Sequence, residues 1–299
     1  MGYFGAARRI GLLATIGAAS LGGLLYARRV EPERVVVERV SLTLPHVAPA
    51  FDGYRILQVS DVHLDGWMTP ERLRGIVELA NKHWPDLTVV TGDFVTRSPF
   101  YSTAHLAPLL VGPLAELRAP DGVLAVLGNH DHRAGAKAVR RALRAAGIVE
   151  LDNRTRTLRR GDGGVLHIAG VDSSYTGQDR LDLVLEGLPH EGCALLLAHE
   201  PDFADESAAA GRFDLQLSGH SHGGQVRLPL LGPLVLPKLG RRYPAGLYEV
   251  GGMRLYTNRG VGVTLSRLRA NCPPEITVLT LRSPRISTEE DPGMGIALR

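Results

Sequence analysis

Val123-Leu124-Ala125-Val126-Leu127-Gly128-Asn129-His130-Asp131 decides how this chain is read: an apolar run with the length and bulk of a buried strand, a glycine, then residues that bind cations or move protons. The same design recurs on both sides of it. Tyr54 to Val59 leads to Asp61-Val62-His63, Leu87 to Thr91 leads to Gly92-Asp93, Ala194 to Ala198 leads to His199, and Phe213 to Leu217 leads to Gly219-His220-Ser221-His222. The ligand-type residues thus sit where strands end and loops begin, which is where open α/β sheets carry their sites. Glycine before three of the clusters lets the backbone turn sharply toward a shared centre. In Asp61-x-His63 and His220-x-His222 the i, i+2 spacing points both side chains the same way if the backbone stays extended.

Any one of these clusters alone is ordinary, since an Asp or His after a strand usually caps a loop or sits satisfied on the surface. All of them in order call for a common cause, and their residue types suit a two-metal hydrolase. Imidazole, carboxylate and an asparagine carbonyl form a mixed N/O donor set that fits Mn, Fe or Zn, whereas an all-oxygen set favours Mg or Ca. A bimetal pair roughly 3.5 to 4 Å apart supplies a nucleophile at neutral pH and a counter-charge for phosphoryl oxygens.

The order and identity of these residues resemble the calcineurin-like metallophosphoesterase superfamily, whose pattern runs D-x-H, G-D, G-N-H-[DE], H, G-H-x-H. Every element is present between Asp61 and His222. The resemblance implies that Asp93 bridges two metals, that Asp61, His63 and His222 complete the ligands of the first, and that Asn129, His199 and His220 complete those of the second. It implies direct attack of water on phosphorus, with no covalent phospho-enzyme. His130 is then expected to contact the phosphoryl oxygen or protonate the leaving oxygen. Asp131 either orients that imidazole or fixes the loop backbone. Two divalent metals are expected, manganese first because bacterial members of the family often use it, with Fe and Zn as alternatives. The fold implied is an α/β four-layer sandwich, two mixed β-sheets face to face with helices outside. The helical spacing in Glu71 to His83 and in Gly135 to Ala146 fits the alternation of strands and helices.

With 299 residues, 44% of them hydrophobic, there is ample material for a core, and a net charge of +3 is too small to argue for nucleic acid as a partner. The ligands span most of the chain, so dividing it would divide the site. We expect a metallophosphoesterase catalytic domain over 53–283, a lead-in over 30–52 whose Val35 to Val37 and Val40 to Leu44 supply an edge strand, and a polar C-terminal tail over 284–299. Residues 1–29 differ in kind. Ile10 to Tyr26 carries no charge and is flanked by Arg8-Arg9 and Arg28-Arg29, the pattern of a short single-pass membrane anchor. A cleaved or twin-arginine signal is the rival, and arginines at both ends leave the membrane face undetermined. Cys193 and Cys272 lie outside the pattern and read as small buried residues.

Beyond His222, the stretch Leu228-Pro229-Leu230-Leu231-Gly232-Pro233-Leu234-Val235-Leu236-Pro237 makes neither a good helix nor an inner strand and is expected to protrude. It is either a hairpin packed over the sheets or an apolar surface touching lipid beside the site. His132, Arg241 and Arg242 are candidate substrate contacts. This layout resembles the membrane-associated bacterial branch of the superfamily, which includes envelope phosphodiesterases and UDP-2,3-diacylglucosamine pyrophosphohydrolases of lipid A synthesis. The expected substrate is therefore a phosphodiester or pyrophosphate, lipid- or envelope-linked. A catalytically silent metal-bound scaffold at the membrane and a phosphodiesterase of soluble substrates remain the alternatives. Oligomeric state is not readable from the sequence.

Overall fold

A computed structural model describes residues 20–96, 101–161, 163–264 and 267–284. The apolar segment read as an anchor lies mostly outside these residues. Its described part belongs to a helix over 20–29 (α1) in which Leu21, Leu24 and Leu25 are exposed. No helix among the described residues is long and apolar enough to cross a membrane. Most of the polar tail also falls outside the described residues.

Each apolar run becomes a strand: β2 (Arg55–Val59), β3 (Leu87–Thr91), β4 (Val123–Val126), β8 (Cys193–Leu197) and β9 (Leu215–Ser218). Their near-continuous apolar character has a direct cause, because sheets covered on both faces bury every residue of their inner strands. Around them form two six-stranded sheets. The first has the order β1 (Val36–Thr43), β14 (Glu275–Arg282), β2, β3, β4, β5 (Val149–Glu150). The second runs β12 (Gly246–Val250), β13 (Met253–Thr257), β9, β8, β7 (Gly164–Gly170), β6 (Arg154–Arg160). Within them β2, β3 and β4 are mutually parallel, as are β8 and β9, so the ligand-bearing C-terminal ends of each set emerge on one edge.

Strand alternation sorts side chains between layers. Ile56, Val89, Leu124 and Leu279 join Ile168, Leu195, Leu215 and Leu217 in the core between the sheets. On the outer face of the first sheet, Leu57, Val59 and Val90 pack with α2 (Pro70–Asn81), α3 (Thr103–Leu109), α4 (Val111–Ala115) and α6 (Ala136–Ala145). The outer face of the second packs with α7 (Leu181–Gly187) and α8 (Ala204–Ala209). Two mixed sheets flanked by helices thus make the expected four layers. α2 shows how the sequence sets an element. Thr69 caps it by accepting from Arg72 N, Pro70 starts it, and Leu73, Ile76, Val77 and Ala80 bury one stripe.

The stretch set apart as a lead-in is woven into the sandwich. β1 forms the expected edge strand, paired in parallel with β14 from Val36 opposite Glu275 to Thr43 opposite Arg282. Leu44, Val47 and Phe51 behind it are buried in the core between the sheets. The sheets are stitched at their ligand-bearing end by Gln58 of β2, whose side-chain amide donates to Ser218 O of β9 at 2.9 Å.

Candidate metal centre

The loops leaving β2, β3, β4, β8 and β9 carry Asp61 and His63, Asp93, Asn129, His199, and His220 and His222 to one place. The turns are tighter than an extended i, i+2 reading allows. Asp61, His63, Asp93, His220 and His222 all hold positive φ, between 50° and 67°, so the backbone is left-handed at the ligands themselves. Such conformations cost of order 1–3 kcal/mol each and persist only where the surroundings dictate them. The preceding glycines have a further cause in close approach. A Cβ on Gly92 would stand 2.9 Å from Gly128 N, and one on Gly128 would stand 2.7 Å from the Asp93 carboxyl carbon. A Cβ on Gly219 would overlap Ser60 Oγ and the Asp61 carboxylate.

Two buried groups result, Asp61 with His63 and His222, and Asp93 with His199 and His220. In the first, His63 Nε2 lies 2.9 Å from His222 Nε2, which is 3.3 Å from Asp61 Oδ1. In the second, His199 Nε2 lies 3.2 Å from His220 Nδ1. Asp93 Oδ2 stands between the groups, 3.2 Å from His199 Nε2 and 3.5 Å from His63 Nε2.

The donor set fits divalent cations on several counts. The remaining ring nitrogens face outward: His63 Nδ1 meets Thr96 Oγ1 at 2.7 Å, His199 Nδ1 donates to Thr91 O at 2.7 Å, and His220 Nε2 donates to Lys238 O at 2.8 Å. These outward bonds fix ring orientation, as supports of metal-binding histidines do, and leave the inward nitrogens free. Asn129 Oδ1 is buried with no hydrogen-bond partner, a cost that a cation relieves. Burial opposes ionisation of Asp61 and Asp93, yet the imidazoles of His222 and His199 draw both carboxyls below their ordinary range. Burial also holds His220 and His222 below the usual imidazole value, so they are neutral donors. It acts on His63 and His199 too, but Asp61 and Asp93 raise these above the ordinary value, so a cation bound there would compete with their protons.

The other candidates separate cleanly. His130 stands edge-on to His63, ring centroids 4.8 Å apart, and its backbone N–H donates to Asp93 Oδ1 at 2.8 Å. Burial pushes its imidazole down to about 4 against the pull of Asp93, so it is neutral at pH 7. Asp131 does not reach that ring: its carboxylate accepts from Phe94 N, Val95 N and Gly128 N at 2.8, 3.1 and 3.0 Å, which clamps the β3 and β4 loops together. These contacts favour the loop-fixing reading over the imidazole-orienting one. His132 Nε2 is engaged by Asp172 Oδ1 at 2.5 Å, away from the metal ligands. Arg242 pairs with Asp205, and the backbone N–H groups of Arg241 and Arg242 bind Asp202. Neither arginine lines the cavity.

That cavity, about 700 Å³, opens over Asp93, Asn129, His130, His220 and His222. Thr96, Arg133, Tyr175 and Gln225 add polar walls, and Val226, Leu234, Val235 and Pro237 an apolar one. Several supporting groups escape sequence reading. Arg269 is fully buried, donating to the carbonyls of Gly262, Arg259, Gly260 and Cys272 and reaching within 3.5 Å of His222 Nδ1. No motif marks an arginine so far along the chain. Both cysteines are buried and unpaired with each other, as expected of small core residues.

The sequence profile of the calcineurin-like phosphoesterase family matches residues 54–224, the segment from β2 through the last histidine ligand. The chain is 37% identical over 277 residues to the uncharacterized metallophosphoesterase YkuE of Bacillus subtilis, covering 91% of this chain and 96% of that one. It is 33% identical over 274 residues to the phosphodiesterase YaeI of Escherichia coli, covering 90% and 95%. Over 327 residues it is 27% identical to the UDP-2,3-diacylglucosamine pyrophosphatase LpxG of Chlamydia muridarum, covering 89% and 95%. The chain belongs to the calcineurin-like metallophosphoesterase family. It is a phosphoester hydrolase with a binuclear divalent metal site, and a metal pair bound in the two groups would supply the nucleophile and the phosphoryl counter-charge.

Proposed function

We propose that the protein hydrolyses a phosphodiester or pyrophosphate bond in a lipid- or envelope-linked substrate of the UDP-2,3-diacylglucosamine kind, with manganese as its metal, while held at a membrane by its N-terminal apolar segment. One observation carries the substrate class. The hairpin of β10 (Arg227–Leu228) and β11 (Gly232–Pro233) presents Leu230 at 107% and Leu231 at 78% of full exposure, and its continuation, Leu234 and Val235, forms the apolar wall of the cavity over the ligands. Leucines this exposed at a hairpin tip contribute little packing, and an apolar surface continuous with a phosphoester site suits an acyl chain or a bilayer. The exposures at the tip favour the lipid-facing reading over a hairpin packed along its whole length. LpxG, a relative matched over 95% of its length, is named for UDP-2,3-diacylglucosamine, a lipid-linked pyrophosphate. Within this reading Asp61, His63 and His222 would hold one metal and Asn129, His199 and His220 the other, with the Asp93 carboxylate placed between the two groups to serve both. His130, neutral and facing the cavity, donates a ring N–H to the phosphoryl oxygen.

The test is the double variant Leu230→Ser/Leu231→Ser. Full burial of a leucine contributes about 1.5–3 kcal/mol, so losing two from lipid engagement should raise the Michaelis constant for a vesicle-borne lipid-linked substrate about tenfold or more. Hydrolysis of bis(p-nitrophenyl) phosphate and the melting temperature should stay as they were. Equal kinetics on the vesicle-borne substrate would remove the lipid reading and leave a phosphodiesterase of soluble substrates.

A further inference from the structure

Arg133 is the one permanent cation among the described residues lining the cavity. It lies four residues after Asn129 in the short helix α5 (Asn129–Ala134), which sets both on one face, about 6 Å apart along the axis. α5 is itself anchored, since Asp131 ties its first turn to the β3 loop. The guanidinium stacks on Tyr175, 4.7 Å from the ring centroid, and the Tyr175 ring is 5.8 Å from that of His220. A cation–π contact engages no oxygen acceptor, so the guanidinium keeps N–H donors for an anion. No carboxylate among the described residues takes them. The neighbouring arginines are spent: Arg140 serves Glu150, Asp152 and Asp172, and Arg242 serves Asp205.

We propose that Arg133, held by Tyr175, binds a second anionic group of the substrate, the phosphate on the leaving side of a pyrophosphate, and so sets a preference for pyrophosphates over simple phosphodiesters. This deepens the proposed function and rests on its placing of the scissile phosphoryl group at the two metal groups. A simple diester carries only the phosphoryl group held at the metal ligands, whereas a pyrophosphate adds a second phosphate, joined through one oxygen, for a guanidinium that lines the same cavity one helical turn from Asn129. Charge-assisted bonds from a planar fork suit such an oxyanion pair. Tyr175 acts as a positioning residue, holding the fork toward the cavity.

The experiment uses the metal-loaded protein and soluble ligands, so its outcome does not depend on the hairpin or on lipid. Binding of methylenediphosphonate and of methylphosphonate is measured by calorimetry for the natural protein, Arg133→Met and Arg133→Lys. Loss of charge-assisted hydrogen bonds should weaken diphosphonate binding by about ten- to a hundredfold in Arg133→Met. Methylphosphonate should weaken by less than about threefold, and Arg133→Lys should fall between. The ratio of kcat/KM for a soluble nucleotide sugar to that for bis(p-nitrophenyl) phosphate should drop in parallel. Equal weakening of both phosphonates, or no change in either, would overturn the assignment. A failed hairpin test with a selective Arg133 effect would discard only the lipid part of the proposed function.

Discussion

Gly128→Ala is the most economical perturbation of the metal centre. Gly128 has φ −108° and ψ 176°, an extended backbone that alanine adopts freely, so conformational strain is not at issue. What changes is space: the added Cβ would lie 2.7 Å from both Cγ and the backbone N of Asp93. Carbon atoms rest about 3.5–4.0 Å apart, so the carboxylate between the two ligand groups must move by roughly 1 Å. Overpacking of that size costs about 1–3 kcal/mol. A misplacement of about 1 Å in a catalytic arrangement costs on the order of 10²-fold in rate. We therefore expect kcat/KM for bis(p-nitrophenyl) phosphate to fall about a hundredfold at saturating manganese, with weaker metal retention in elemental analysis and a lower melting temperature. Gly75→Ala in α2, where a Cβ meets nothing within 4 Å, is the control and should stabilise slightly. Wild-type turnover in Gly128→Ala would refute the claim that the close approach of the β3 and β4 loops sets the position of Asp93.

Two further variants probe the neighbouring histidines. His130→Ala should keep both metals by elemental analysis while turnover falls roughly 10²- to 10³-fold, the usual effect of losing one hydrogen-bond donor to a developing oxyanion, and metal loss instead would make His130 structural. His132 is raised above its ordinary value by its hydrogen bond to Asp172, burial opposing. Its contribution to stability is therefore complete below the unfolded value of about 6.5 and is lost as pH rises through the folded value. His132→Gln should lower the melting temperature clearly at about pH 6 and much less at about pH 9, and a deficit growing with pH would reverse the sign we assign.

The strands and the ligands were legible for the same reason. A strand covered on both faces must be apolar throughout, and a metal loop must break that apolarity with donors, so Leu87 to Thr91 followed by Gly92-Asp93 announces both at once. The direction of the donors was not legible. Alternation suggested that Asp61 and His63 share a face of an extended strand, whereas both are left-handed and their placement comes from contacts with the Gly92, Gly219 and Gly260 loops. Arg133, Tyr175 and Arg269 were hidden for a different reason: each reaches the site through tertiary packing and carries no local pattern. Arg133 had one readable signal, its four-residue spacing from Asn129 on a helix, but the helix is only six residues long and lacks an apolar stripe to reveal it. The Arg241-Arg242 pair illustrates the converse, since adjacent charges stand out in a sequence while the fold pairs the Arg242 guanidinium with Asp205 and uses the backbone N–H groups of both residues on Asp202.

The central claim is that two buried groups joined by Asp93 hold two metals that the hydrolysis requires. Its most direct test is to strip the protein with chelator, reconstitute it with manganese, and measure bound metal and diester hydrolysis for the natural chain and for Asp93→Asn. About two ions per natural chain are expected, with hydrolysis that disappears on chelation and returns on reconstitution, and a loss of orders of magnitude in Asp93→Asn, because a neutral amide serves two cations poorly. Hydrolysis that survives complete removal of metal, or near-normal turnover in Asp93→Asn at saturating metal, would contradict it.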